Sequence, residues 1–222
     1  HTSEHIPEVG NSFSKKQFKE ALKLGNLNQI NIFGKCHHGW CYYPTKVKHA
    51  KMHPNLKIDL LGQQIEACHE INVKAPIYLT VGWSVQDVET HPEWCTRDID
   101  GNIIEWNKKN ENEVEEVSTA TGHAEREFKL RDKNFRPFSN WKFLCPTGDY
   151  KELISSMVTE LIRNYEVDGF FFDIHFTQLK CYCDNCKKSI KINGYDINNP
   201  QDVNNHWNDI TLRNFTKDIT NQ

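Results

Sequence analysis

Nothing in the sequence approaches the ~20 consecutive apolar residues that a membrane-spanning helix needs; it reads as a soluble, globular protein with no membrane partner. Lysine and arginine are scattered rather than clustered, and the formal net charge is only -3. Without a basic field there is nothing to gather nucleic acid, and no nucleic-acid partner is expected. An initiating methionine is lacking too. The chain opens on His1, which reads as a natural N-terminus cut away, and the absence of a leader says little about location. The 222 residues suffice to bury a sizeable core, with one domain as the default.

Cysteine, by contrast, is plentiful: eight, at positions 36, 41, 68, 95, 145, 181, 183 and 186. Their surroundings argue against disulfides. Cys68 falls within an amphipathic helical pattern, Cys36 at a strand end, and three crowd together as Cys181-Tyr-Cys183-Asp-Asn-Cys186. Such crowding favours a metal over bridges. Reduced thiols place the protein inside the cell, and a cytoplasmic location is the expectation.

Apolar periodicity divides the chain into repeated units. Residues 13–24 set Phe13, Phe18, Ala21, Leu22 and Leu24 on one helical face, closed by Gly25-Asn26. A short strand is expected over 29–35, then a polar-aromatic loop over 36–45. A helix over 57–71 (Ile58, Leu61, Ile65, Cys68) leads to a strand over 75–83. A third helix over 149–165 precedes the run 167–173, which ends Phe-Phe-Phe-Asp173. Strands alternating with helices predict a parallel sheet covered on both faces. The fold class expected is α/β: a partial (β/α)8 TIM barrel, roughly its first half with the first strand missing, strands parallel and helices outside. Three strands before residue 174 are too few for a whole barrel, which typically takes ~250 residues. Residues 1–222 thus read as one incomplete catalytic barrel domain. Within it, 97–140 is an irregular charged insertion, and 141–190 is a cysteine-rich, zinc-type segment around strand four.

Conspicuous polar and aromatic residues follow each predicted strand: Lys35, His37, His38 and Trp40, then Trp83, then Asp173 and His175. The carboxyl ends of parallel strands are where such folds bind ligands. Two imidazoles beside an indole offer a pyranose both hydrogen bonds to its hydroxyls and a plate beneath its C–H face. The plainer alternative is two surface histidines beside a core tryptophan. Asp173 closes an apolar strand, where an unpaired carboxylate is costly; it is a candidate catalytic group, or else a helix cap or structural ion pair. Cys145, in Leu144-Cys-Pro146, is a plausible fourth thiolate for the 181–186 cluster. Four soft ligands suit a closed structural zinc site without catalytic role, the alternative being unligated thiols. No cofactor for catalysis is expected.

These motifs also carry a resemblance. The segment 35–45 around His37-His38-Gly39 resembles the strand-end motif of the family 29 α-L-fucosidases. Asp59-Leu-Leu-Gly62 with Glu66-Ala-Cys-His69, then 78–82 and His91-Pro-Glu-Trp94, follow in that family's order, and 150–173 resembles its helix-then-strand segment. Over nearly its whole length the chain is similar to the hypothetical glycosyl hydrolase 6 group and its family 151 fucosidase relatives. The resemblance implies a retaining exo-glycosidase, most nearly an α-L-fucosidase, with Asp173 as nucleophile. It further implies that His5 lies just after a first strand, His37 and His38 after strand two, and Trp83 after strand three. Substrate-binding residues expected are His5, His37, His38, Trp40, Trp83 and His175. The acid/base is expected beyond residue 222, with Glu4 and Glu93 the candidates within the chain. The fragment alone is expected to be inactive, and the full-length protein to act on carbohydrate and to form a homo-oligomer. The cysteine spacing resembles the zinc cluster of the family 42 β-galactosidases, which makes a β-galactosidase-like enzyme the alternative; Asp173-Ile174 stands where that family has Asn-Glu. A zinc-stabilised sugar-binding scaffold without activity is the other alternative.

Overall fold

The computed structural model describes residues 1–106, 141–175 and 180–221. Most of the expected 97–140 insertion therefore lies outside the described residues. In chain order the elements are α1 (Lys15–Leu24), β1 (Ile32–Lys35), β2 (Trp40–Cys41), β3 (Lys51–Met52), α2 (Leu60–His69), β4 (Ile77–Thr80), α3 (Val85–Thr90), a 3-10 turn (Pro92–Trp94), β5 (Glu105–Trp106), β6 (Trp141–Lys142), α4 (Gly148–Asn164), β7 (Phe170–Asp173), α5 (Asp184–Ile192), α6 (Pro200–His206), a π-helical turn (Trp207–Leu212) and α7 (Arg213–Thr220).

The three expected helices form because their apolar positions repeat at helical spacing, and in the first two a polar side chain closes the first turn. Ser14 Oγ accepts from the Gln17 amide at the start of α1, and Asp59 Oδ1 accepts from the Gly62 amide at 2.9 Å at the start of α2. At the end of α1, Asn26 rather than Gly25 takes the left-handed conformation (φ 50), which asparagine tolerates. In α4, Tyr150, Leu153, Ile154, Met157, Val158 and Leu161 make one buried face.

The main sheet has five strands in the order β3-β2-β1-β4-β7. β1, β4 and β7 are mutually parallel, with Ile32 opposite Ile77 and Thr80 opposite Asp173. The sheet is not wholly parallel, as the sequence had suggested. The segment after β1 turns back at once as β2, pairing antiparallel through Lys35 and Cys41, and β3 lies parallel to β2. A turn this short permits only an antiparallel return, since a parallel neighbour needs a crossover.

Alternation along the strands separates two faces. Ile32, Ile77 and Leu79, with Phe170 and Phe172 alongside, join a core with Leu61, Ile65, Leu153, Ile154 and Met157 from α2 and α4. The opposite face carries Phe33, Tyr78 and Phe171; the Tyr78 ring lies 4.5 Å from Phe33 and 5.8 Å from Phe171. Phe171 remains 45% exposed, so β7 is not covered on both sides as its unbroken apolar run had suggested. β5 and β6 form a separate antiparallel ribbon. No helix among the described residues is long and apolar enough to cross a membrane.

Candidate active site

Asp173 is the last residue of β7, and its carboxylate Oδ2 lies 2.5 Å from Tyr78 Oη and 3.3 Å from His37 Nε2. Tyr78 Oη is also 2.6 Å from His37 Nε2. Only one arrangement of protons satisfies all three groups. A carboxylate can only accept, so Tyr78 donates to Asp173, and His37, protonated at Nε2, donates to the Tyr78 oxygen. The sheet assembles this triad from β4, β7 and the loop leaving β1. Tyr78 and Asp173 meet because Tyr78 pairs with Phe171 in the register, two residues before Asp173 on the same face.

Burial works against a charge on Asp173. The Tyr78 hydroxyl, the Ile174 amide and His37 outweigh it together and hold the carboxyl below the usual range. Asp173 therefore stays anionic near neutrality. Tyr78 shifts the opposite way: burial first, then its bond to the Asp173 carboxylate, push its hydroxyl far up and keep its proton in place. His37 is lowered by burial, opposed in part by Asp173, and His38 is pushed down to about 4, chiefly by burial.

The loop bearing the two histidines is held by α3. The Val85 and Gln86 amides donate to the carbonyls of His37 and His38 at 3.1 and 3.0 Å. That approach leaves no space for a side chain at residue 39: a Cβ on Gly39 would sit 2.4 Å from Ser84 Oγ, and its φ of 91 belongs to glycine. Beneath the loop, Lys35 and Asp87 form an ion pair with both side chains fully buried. Gly82 plays the matching part on the next strand end, where a Cβ would lie 2.2 Å from the Ile174 carbonyl oxygen. Ile174 itself, directly after Asp173, has a φ of 55, a left-handed conformation costly for a β-branched residue and concentrated at functional sites in general.

Of the residues the sequence singled out, His37, Trp83 and Asp173 converge; the Trp83 ring meets His37 edge-on at 5.8 Å. His38 is adjacent but only 3% exposed. Trp40 lies in β2, donating from Nε1 to Glu4 at 3.2 Å and standing 6.0 Å from His53. His5 Nε2 is 3.4 Å from Glu4. His175 turns toward α7, 3.3 Å from Thr216 Oγ1 and 6.2 Å from the Phe215 ring. Glu93 pairs with His91 and is mostly exposed. Two site members were not singled out: His1, whose ring stacks on His37 at 3.9 Å, and Tyr78. A tyrosine inside an apolar strand, IYLT, was the available signal, because a buried phenol needs a partner. Cys145, Cys181, Cys183 and Cys186 also come together, their sulfurs all within 4.8 Å of one another.

Residues 14–174 match the family described as hypothetical glycosyl hydrolase 6. The chain belongs to this glycosyl hydrolase family. Among solved structures it is similar to α-L-fucosidase isoenzyme 2 from Paenibacillus thiaminolyticus, at 37% identity and a TM-score of 0.76, over 99% of this chain and 28% of that one. An α-L-fucosidase from Bacteroides thetaiotaomicron aligns at 16% identity and a TM-score of 0.44, over 72% of this chain and 27% of that one, too remote to carry an argument. No curated protein sequence matches. The glycosyl hydrolase chain described here thus spans under a third of the length of the fucosidase structures it resembles.

Proposed function

We propose that this chain forms part of a retaining glycosidase of α-L-fucosidase type, and that Asp173 is its nucleophile. What supports the reading is the carboxylate at the end of a parallel strand, held anionic by Tyr78 and His37, in a chain 37% identical to a fucosidase over 99% of its length. The run β1-β4-β7, with helices on one face and Phe33, Tyr78 and Phe171 on the other, is then a stretch of (β/α)8 barrel wall, its aromatic face turned to the barrel axis.

In the reaction, an Asp173 oxygen attacks the anomeric carbon as the glycosidic bond breaks, and a second carboxyl group gives its proton to the departing oxygen. The product of this step is a glycosyl ester on Asp173. The protonating group, now a carboxylate, takes a proton from water, whose oxygen attacks the same carbon; Asp173 leaves, and configuration is retained. Tyr78 acts on Asp173 throughout, with His37 donating to it from behind: the Tyr78 hydrogen bond disperses the carboxylate charge in the resting site and orients one oxygen, leaving the other for attack. Glu4, which accepts from Trp40, and Glu93 are the candidates for that second carboxyl within the described residues. Catalysis in this reading uses no cofactor.

The test is hydrolysis of aryl α-L-fucosides by the full-length protein. Asp173→Gly is expected to lose several orders of magnitude in turnover while sugar binding persists, and azide to restore part of the rate with a fucosyl azide of inverted configuration as product. Normal turnover by that variant would rule Asp173 out as nucleophile. Sugar binding with no turnover by the parent protein on any aryl glycoside would favour the scaffold reading instead.

A further inference from the structure

We propose that Cys145, Cys181, Cys183 and Cys186 bind one zinc ion in a closed structural site. This rests on the cysteine geometry alone and is independent of the glycosidase reading. All eight cysteines are free of disulfides, yet these four sulfurs lie within 4.8 Å of one another, with Cys145 Sγ at 3.6 Å from Cys186 Sγ and 3.7 Å from Cys183 Sγ. A tetrahedron of thiolates around zinc, with arms near 2.3 Å, has edges of about 3.8 Å. A disulfide would require a separation of about 2 Å. The observed spacing is therefore that of ligands sharing a centre.

The surroundings fit thiolates rather than thiols. Cys181 Sγ accepts from the amides of Arg97 at 3.5 Å and Cys183 at 3.4 Å, and the Thr147 hydroxyl stands 3.2 Å from Cys145 Sγ, where it can donate to it. Donors aimed at sulfur are what metal-bound thiolates gather around themselves. Three of the cysteines are buried and Cys183 is partly exposed, and four negative charges packed this closely, three of them buried, are tolerable only around a cation. With all four positions filled by soft sulfur, the site suits zinc and leaves no opening for substrate or water.

The four ligands come from two separate segments, and backbone hydrogen bonds tie a third to them. The Cys145 amide donates to the Trp94 carbonyl at 2.8 Å, and the Tyr182 amide to the Arg97 carbonyl at 2.8 Å. One residue before Cys145, the Leu144 amide donates to the Gly82 carbonyl beside Trp83. The metal would thus fasten the chain beyond Asp173 to the segment that supports the β4 strand end.

The experiment is metal analysis of the full-length protein purified without added metal, together with zinc-edge X-ray absorption. One zinc per chain is expected, with four sulfur neighbours near ~2.3 Å, retained through gel filtration with a chelator and released by an organomercurial as four thiols react. Cys183→Ser is expected to lose the zinc and Cys68→Ala, in α2, to keep it. Absence of stoichiometric zinc, iron in its place, nitrogen or oxygen neighbours in the absorption spectrum, or a disulfide within this set would each overturn the proposal. The absorption measurement on the unaltered protein decides the matter even if Cys183→Ser does not fold.

Discussion

At the scale of single residues, the charge on Asp173 depends on Tyr78 as much as on its own position. Removing the phenol in Tyr78→Phe keeps the ring packing against Phe33 and Phe171 but deletes a hydrogen bond to a charged group, an interaction worth about 1.5–3 kcal/mol. If that bond serves the reaction as well as the resting state, kcat/KM for an aryl fucoside is expected to fall roughly 10- to 100-fold. With less to oppose burial, the Asp173 carboxyl should also titrate higher, and the acid limb of the pH profile should move upward. An unchanged profile would reduce Tyr78 to a packing residue. Asp173 stood out in the sequence because a carboxylate ending three phenylalanines is conspicuous by itself. Tyr78 acquires its meaning only from the register that sets it beside β7.

At the scale of elements, helices α1, α2 and α4 were legible because nearly three turns or more repeat their apolar face. The pairs β2 and β3, two residues each, carry no period. Helix α3 is six residues long; its trace in the sequence was Ser84, whose hydroxyl accepts from the Asp87 amide at 3.4 Å, a capping signal without enough helix behind it to show a periodic face. What secures α3 is tertiary: its first amides reach the His37 and His38 carbonyls, and Asp87 meets Lys35 in a fully buried pair. Breaking that pair in Lys35→Met leaves an uncompensated buried carboxylate and should cost about 3–5 kcal/mol in urea denaturation. The double variant Lys35→Met, Asp87→Leu should recover most of this, because two apolar side chains need no partner. A double variant no more stable than the single one would show that the pair does more than neutralise itself.

At the scale of the whole molecule, histidines with lowered pKa values set the response to acid. His37, His38, His53, His175 and His206 all have pKa values lowered from 6.5, each first by burial. A base whose folded pKa is depressed binds fewer protons folded than unfolded, so stability is full above 6.5 and declines as pH falls from there toward the folded values. For His38, lowered to about 4 and almost wholly buried, this amounts to about 3 kcal/mol across that window, at about 1.4 kcal/mol per unit. Glu89, raised by burial, acts in the opposite sense; Asp173 and Asp168, both lowered, resist until the pH drops below their usual 3.8. Thermal melts of the full-length protein are thus expected to lose stability between pH 6.5 and 4, and His38→Gln to flatten that slope. A flat profile over this range would mean that the histidines are open to water.

The sequence by itself determined the alternation of helix and strand, the placing of His37, Trp83 and Asp173 at strand ends, and the membership of a glycosyl hydrolase family, because each is written in local period or in an ordered series of motifs. It also marked four cysteines as a set. Only the tertiary structure decided that the chain turns back after β1 to make a mixed sheet, that His175 faces α7 while Tyr78 and His1 join His37, and that Trp40 is tied to Glu4. These outcomes depend on strand register and on which side chain reaches which distant partner. Apart from the short turn into β2, they are settled by packing between segments about 36 to 41 residues apart in sequence, over which no local pattern carries information.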